Sequence, residues 1–154
     1  LLGFKQLDNN DYRFIIVGKK EGFITGDSEV FNLVNQINKE REKVLFTGNI
    51  DDQELYAWYK GVSALVMPSL YERFGLPIVE AMHFNIPIIA SNIPVLKEIG
   101  KNYISYFNPY DPNSIKEKMN FIIQQNQPVM FPKWRTWAET AEDIAKLFEQ
   151  TTKI

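Results

Sequence analysis

Five short runs rich in aliphatic, β-branched and aromatic residues recur along the chain, at positions 12–17 (YRFIIV), 44–47, 63–67, 87–90 and 104–107. The first two are stopped by Gly18 and Gly48 and the third by Pro68, and a helical pattern separates each run from the next. Most of the runs lack the polar alternation of a half-exposed strand. A strand without that alternation has to be covered on both faces, and strands that alternate with helices imply parallel pairing through helical crossovers. The alternation therefore predicts an α/β domain with a doubly wound, Rossmann-like parallel sheet of five strands. In such sheets ligands bind beyond the carboxyl ends of the strands, where the strand order reverses. The loops after Val17, Thr47 and Met67 lie at such ends.

The helical segments carry their own punctuation. Residues 1–7 read as the end of a helix closed by the turn-forming stretch 8–11 (DNND). Ser28 is placed to cap a helix reaching about residue 39, with Val30, Phe31, Val34 and Ile37 on one face. Asp51 and Glu54 have capping-box spacing, which opens a helix through Tyr59. Pro77 suits the first position of a helix ending near Phe84, and Asn85 suits the left-handed position after it. Helices are also expected at 94–99 and from Asp111-Pro112 to about 125. After a loop at 126–133 comes a last amphipathic helix bearing Trp134, Trp137, Ala141, Ile144 and Phe148. Neither an internal repeat nor a second domain is visible.

Composition narrows the function classes. At 154 residues the chain has the size of one domain, able to bury roughly 70% of the surface its unfolded form exposes. A net charge of -2 argues against sequence-independent binding to nucleic acid. The absence of cysteine excludes disulfides and thiolate chemistry and suits a reducing cytoplasm. No apolar run approaches the ~20 residues that span a bilayer. The chain begins without methionine and inside a helical pattern, so it reads as a fragment.

The segment PSLYERFGLPIVEAM, residues 68–82, concentrates the chemistry. Its helix carries Ile78, Val79, Ala81 and Met82 almost all the way round, so Glu80, the only carboxylate on it, needs a partner. The residues leave two readings open. Nearby backbone amides or His83 hold Glu80, or it accepts hydrogen bonds from a polyol such as a ribose. Glu72 lies in the preceding loop, with seven residues between it and Glu80. Gly75 lets the backbone approach a ligand closely, and the free amides of the helix start suit an anion. A sugar diphosphate supplies such an anion with hydroxyls on either side.

Together these residues resemble the Glu-x7-Glu signature of the retaining glycosyltransferases built from two Rossmann-like domains (GT-B type, group 1, family 4). The likeness covers nearly the whole chain: LLGFKQL, FIIVG, VLFTGNIDDQELYAWY, ERFGLPIVEAM, PIIASNIPVLKEI, YFNPYDP and Trp137 occur in the family's order. The resemblance implies a nucleotide-sugar-binding C-terminal domain, spanning residues 1–154, of an enzyme that moves a sugar from a nucleotide diphosphate sugar to a glycan or lipid-linked acceptor. Glu72 would contact the transferred sugar and help place its anomeric carbon, as the catalytic carboxylate. Glu80 would bind the ribose. Phe74, Gly75 and Leu76 would hold sugar and diphosphate through backbone amides, with Arg73 beside them. Gly48, Asn49 and Ile50 would flank the nucleobase, with Gly18 on the neighbouring loop. The resemblance implies neither a cofactor nor a metal, since no Asp-x-Asp cluster is present, and it places the whole enzyme in the cytoplasm or against the inner face of the membrane.

Several positions depart from the family pattern. Arg73 stands where a glycine is usual, and a positive φ there would strain it. His83-Phe84-Asn85 replaces a small-residue turn. Lys19 and Lys20 read as a solvated basic loop. The resemblance puts a further strand, with a basic pair for the diphosphate, ahead of Leu1, and an acceptor-binding domain ahead of that. Without that strand, either segments 12–17 and 63–67 close up and pair directly, which is the simpler way to satisfy the backbone and the one expected, or another chain or an upstream segment fills the gap. A nucleotide-sugar-binding module without transferase activity and a nucleotide-sugar epimerase half-domain are the alternative functions.

Overall fold

The computed structural model describes residues 1–7, 11–19, 28–125, 129–134 and 136–151. Five strands alternate with helices in the expected order. They are β1 (Phe14–Ile16), β2 (Val44–Phe46), β3 (Leu65–Met67), β4 (Ile88–Ser91) and β5 (Ser105–Phe107). The helices are α1 (Leu2–Lys5), α2 (Ser28–Ile37), α3 (Asp52–Gly61), α4 (Leu76–His83), α5 (Pro94–Gly100), α6 (Pro112–Gln125) and α7 (Trp137–Thr151). Every strand pair is parallel. The turn expected at 8–11, the loop at 126–133 and Lys20 fall wholly or partly outside the described residues.

Alternate side chains of β3, β4 and β5 enter two different cores, which explains their missing polar alternation, whereas β1 and β2 give Phe14, Ile16, Val44 and Phe46 to one core. Ile88 and Ala90 of β4 join Met67, Ile78, Ala81, Met82, Leu96, Ile99 and Tyr59 in a core formed with α3, α4 and α5. Ile89, between them, faces the other way. It joins Phe107, Phe4, Val34, Val44 and Met119 in a core formed with α1, α2 and α6. β4 is therefore the central, fully buried strand of the order β3-β4-β5.

The sheet is not continuous, and here the structure corrects the sequence expectation. β1 pairs only with β2, and β1 and β3 do not close on each other. Closure was expected because buried unpaired amides are rarely tolerated. All three residues of β1, and Leu65 and Val66 of β3, are only partly buried, so water reaches these strands and direct pairing is not forced. Side chains hold the two sheets together instead: Phe14, Ile16, Val44 and Phe46 share a core with Val66, Ile89 and Phe107.

Helix ends follow local chemistry with small shifts. Asp51 caps α3 in a complete capping box, its carboxylate accepting from the Glu54 amide at 2.8 Å while the Asp51 amide donates to the Glu54 carboxylate at 3.3 Å. α2 begins at Ser28, at the edge of the described residues. α4 starts one residue earlier than expected, with Leu76 first and Pro77 second. Asn85 takes the left-handed conformation after α4 at φ 54°, and its side-chain oxygen accepts from the Phe131 amide at 3.3 Å. Trp134 precedes α7 instead of lying within it, and its indole N–H points at the Met82 sulfur at 3.1 Å. α7 buries none of its residues, and Trp137 on it is 87% exposed.

Lys101, after α5, is held at φ 45° and ψ -128°, a region favourable only to glycine. The Tyr106 hydroxyl donates to its carbonyl at 2.9 Å and fixes the turn. Backbone strain of this kind costs of order 1–3 kcal/mol, and glycine's greater freedom in the unfolded chain offsets part of the gain. Lys101→Gly is therefore expected to stabilise the domain by about 1 kcal/mol, read as a rise of about 2–4 °C in Tm. An unchanged or lower Tm would show that the turn carries no strain.

Candidate functional site

Two loops carry the residues singled out from the sequence. The first lies at the carboxyl ends of β1 and β2. Gly18 and Gly48 form an antiparallel bridge there, with the Gly48 amide donating to the Gly18 carbonyl at 3.0 Å. The Gly18 amide donates to the Thr47 hydroxyl oxygen at 3.3 Å, and that hydroxyl donates to the Gly48 carbonyl at 3.0 Å. Both glycines have positive φ, 135° and 75°, and a side chain built on either would meet nothing within 4 Å. Open space therefore lies over the bridge. Exposed Asn49 and half-buried Ile50 follow and lead into Asp51, the cap of α3. Lys19 is exposed beside this loop.

The second loop runs from the carboxyl end of β3 to α4. Glu72 is partly buried, and the Ser69 hydroxyl donates to its Oε1 at 2.8 Å. Its other oxygen has no partner among the described residues. Arg73 is exposed and does not have positive φ, so the strain that a glycine-like conformation would impose is absent. Phe74 and Leu76 are half exposed. Gly75 caps α4 at φ 96° and is itself buried, and a β-carbon there would come within 2.8 Å of Leu96 Cδ2. The glycine is thus required twice, by its conformation and by close packing against α5. No side chain caps α4, Pro77 carries no N–H, and the Ile78 amide donates to the Gly75 carbonyl at 3.0 Å, so among its first residues the Leu76 amide remains available to an anion.

Glu80 finds a partner that the sequence did not point to. Neither His83 nor a backbone amide holds it. The Tyr59 hydroxyl, from the last turn of α3, donates to Glu80 Oε2 at 2.7 Å. His83 is exposed and meets the Phe84 ring edge-on at 5.3 Å. Tyr59 is 8% exposed and stacks on Phe84 at 5.4 Å with 9° between the rings. Burial, reinforced by the hydrogen bond to Glu80, pushes the Tyr59 phenol well above its usual range, so it stays a donor. Tyr59 lies 21 positions from Glu80, and no local spacing links them. The available signal was topological: α3 and α4 precede and follow β3 in the chain, and Leu55 and Tyr59 of α3, with Val62 just after it, join the core that includes Ile78, Ala81 and Met82 of α4. α3 thus ties the two loops together, starting behind Ile50 and ending on Glu80.

This geometry coincides with a family match over residues 1–146, to the family described as Glycosyl transferases group 1. The chain belongs to this family. Among curated group 1 relatives, it is 31% identical over 153 residues to the serotype-specific mannosyltransferase WbdA of Escherichia coli, covering 95% of this chain and 18% of that protein. It is 35% identical over 121 residues to the O-antigen chain mannosyltransferase RfbU of Salmonella typhimurium, covering 78% of this chain and 33% of that protein. The chain thus spans a third or less of these relatives. Among solved structures, a sucrose-phosphate synthase from Thermosynechococcus elongatus superposes over 97% of this chain and 40% of its own, with a TM-score of 0.71 at 22% identity. The C-terminal domain of a group 1 family protein, LpcC from Francisella tularensis, covers 62% of this chain and 50% of its own, with a TM-score of 0.54 at 28% identity. Among the described residues, no helix is long and apolar enough to cross a membrane.

Proposed function

We propose that this chain is the donor-binding domain of a retaining glycosyltransferase that moves a sugar from a nucleotide diphosphate sugar to a glycan or lipid-linked acceptor. The observation that carries the reading is the pair of half-buried carboxylates, Glu72 and Glu80, flanking an uncapped helix start. Each is held on one oxygen by one hydroxyl, and the other oxygen is unengaged among the described residues. Glu80 takes the ribose and Glu72 the transferred sugar. The amides of Gly75 and Leu76 and the positive end of the α4 dipole receive the diphosphate, with Arg73 adding charge. The Gly18–Gly48 bridge leaves room for the nucleobase, and Asn49 and Ile50 line it. The names of the relatives support mannose as the sugar and a bacterial O-antigen as the product. A lipid-linked acceptor fits a position against the inner face of the cytoplasmic membrane. The acceptor would be bound by parts of the protein outside these residues.

Charge developing on the leaving diphosphate is stabilised by dipoles already in place, the most effective form of electrostatic catalysis. Calorimetry with guanosine, uridine and adenosine mono- and diphosphates and the hexose conjugates of the diphosphates tests the reading. Diphosphates should bind more tightly than the matching monophosphates. A hydrogen bond to a charged group contributes about 1.5–3 kcal/mol, so Glu80→Gln should weaken the preferred diphosphate roughly tenfold or more. Glu72→Gln should leave the diphosphate alone unchanged and weaken only the sugar conjugate. Equal affinity for mono- and diphosphate would sink the phosphate site. Equal losses of diphosphate affinity in both variants would sink the division between the two carboxylates.

A further inference from the structure

We infer that Tyr59 is a positioning residue for donor recognition, its hydroxyl fixing Glu80 so that Oε1 is presented to the ribose. The inference rests on the assignment of Glu80 to the ribose and adds what prepares that carboxylate. A glutamate on a helix surface has several side-chain torsions and samples many directions, and binding a ligand would have to freeze them. Tyr59 removes that freedom beforehand. Its ring has only two torsions, and burial with the near-parallel stack on Phe84 holds them, with Tyr56 closing on the same Phe84 ring at 5.7 Å. The phenol oxygen is therefore fixed, and the 2.7 Å bond transfers that order to Glu80 Oε2. Glu80 Oε1 has no partner among the described residues, so one oxygen is anchored and the other remains to accept. Support for a hydrogen-bonding group by an outer neighbour is how binding sites reach their geometry before the ligand arrives.

Tyr59→Phe keeps the stack and removes only the donor, which makes it the informative change. Calorimetry would compare a ribonucleoside diphosphate with its 2′,3′-dideoxy counterpart, using the base that binds wild type best. Tyr59→Phe should weaken the ribonucleotide about five- to tenfold and leave the dideoxy nucleotide within twofold of wild type. In a Glu80→Gln background the same change should add no further loss. Tyr110→Phe, at a tyrosine 77% exposed and outside both α3 and α4, should behave as wild type. Thermal unfolding of each variant separates lost folding from lost recognition. If Glu80→Gln itself leaves ribonucleotide affinity intact, the ribose assignment fails. If Glu80→Gln weakens the ribonucleotide and a folded Tyr59→Phe does not, the assignment stands and the positioning role is overturned. Equal weakening of ribo- and dideoxy nucleotides by Tyr59→Phe would also overturn it, because a general loosening of α3 against α4 does not read ribose hydroxyls.

Discussion

Gly75→Ala is expected to cost about 2–4 kcal/mol of folding stability and to abolish measurable nucleotide binding by the domain. Two independent terms contribute. At φ 96° and ψ 47° the residue lies in left-handed space, where a β-carbon costs about 1 kcal/mol or more. The added carbon would also sit 2.8 Å from Leu96 Cδ2. Leu96 is completely buried, and Met67 and Ile99 also come within 4 Å of the added carbon, so the Leu96 methyl would have to shift inside a packed core. Overpacking of that kind costs typically 1–3 kcal/mol. Alanine's smaller unfolded-state entropy offsets less than about 1 kcal/mol. For a domain of this size each kcal/mol moves Tm by about 2–4 °C, so a fall of roughly 5–15 °C is expected. Binding fails as well because relief of the clash rotates the Leu76 amide at the start of α4 away from the anion. Gly48→Ala is the internal control: φ is positive there too, but the new carbon meets nothing within 4 Å. It should cost about 1 kcal/mol. Equal destabilisation by the two substitutions would show that the contact with Leu96 does not matter.

The succession of strands and helices along the chain and most helix boundaries were legible because each rests on a local rule. The capping box of Asp51 and Glu54, the glycine stops after β1 and β2, and the left-handed Asn85 are properties of a few consecutive residues. Glu80 was legible as a candidate because a carboxylate on an apolar helix needs an explanation, and Glu72, on the preceding loop, through the resemblance to the Glu-x7-Glu signature. What holds them was not legible, since the Tyr59–Glu80 bond joins two helices across β3. The double demand on Gly75 was only half visible: glycine signals freedom of the backbone, whereas its packing against Leu96 belongs to the tertiary structure. The gap between β1 and β3 was misjudged for a related reason. The sequence shows that both strands are apolar, but not that they remain partly open to water, and that exposure decides whether their edges must pair. The apolar periodicity of α7 announced a face to be covered, yet among the described residues nothing buries it.

On the proposed assignment, Glu72→Gln in the protein that carries this domain is expected to lower glycosyl-transfer turnover by about 10²-fold or more while leaving the affinity for the nucleoside diphosphate unchanged. The substitution is close to isosteric, and the amide oxygen can still accept from the Ser69 hydroxyl, which now donates to Oε1 at 2.8 Å. The loop should therefore keep its shape. Two properties change. The negative charge disappears, and the second oxygen, which has no partner among the described residues, becomes an N–H donor. In a transfer whose transition state has oxocarbenium character, a carboxylate beside the sugar is favoured more strongly as positive charge develops at the anomeric carbon. Losing it therefore raises the barrier more than it weakens the ground state. A loss of about 10²-fold corresponds to about 2.7 kcal/mol of transition-state stabilisation, the size associated with removal of one preorganised electrostatic group. Ser69→Ala leaves the charge and removes only its orientation, so a smaller loss of about tenfold is expected, divided between kcat and donor KM. Steady-state kinetics with varied donor, together with calorimetry of the diphosphate, separates these outcomes. Turnover within about threefold of wild type for Glu72→Gln, a change of less than 1 kcal/mol in the barrier, would remove Glu72 from the reacting sugar and leave Glu80 as the only donor-binding carboxylate in the loop–helix segment.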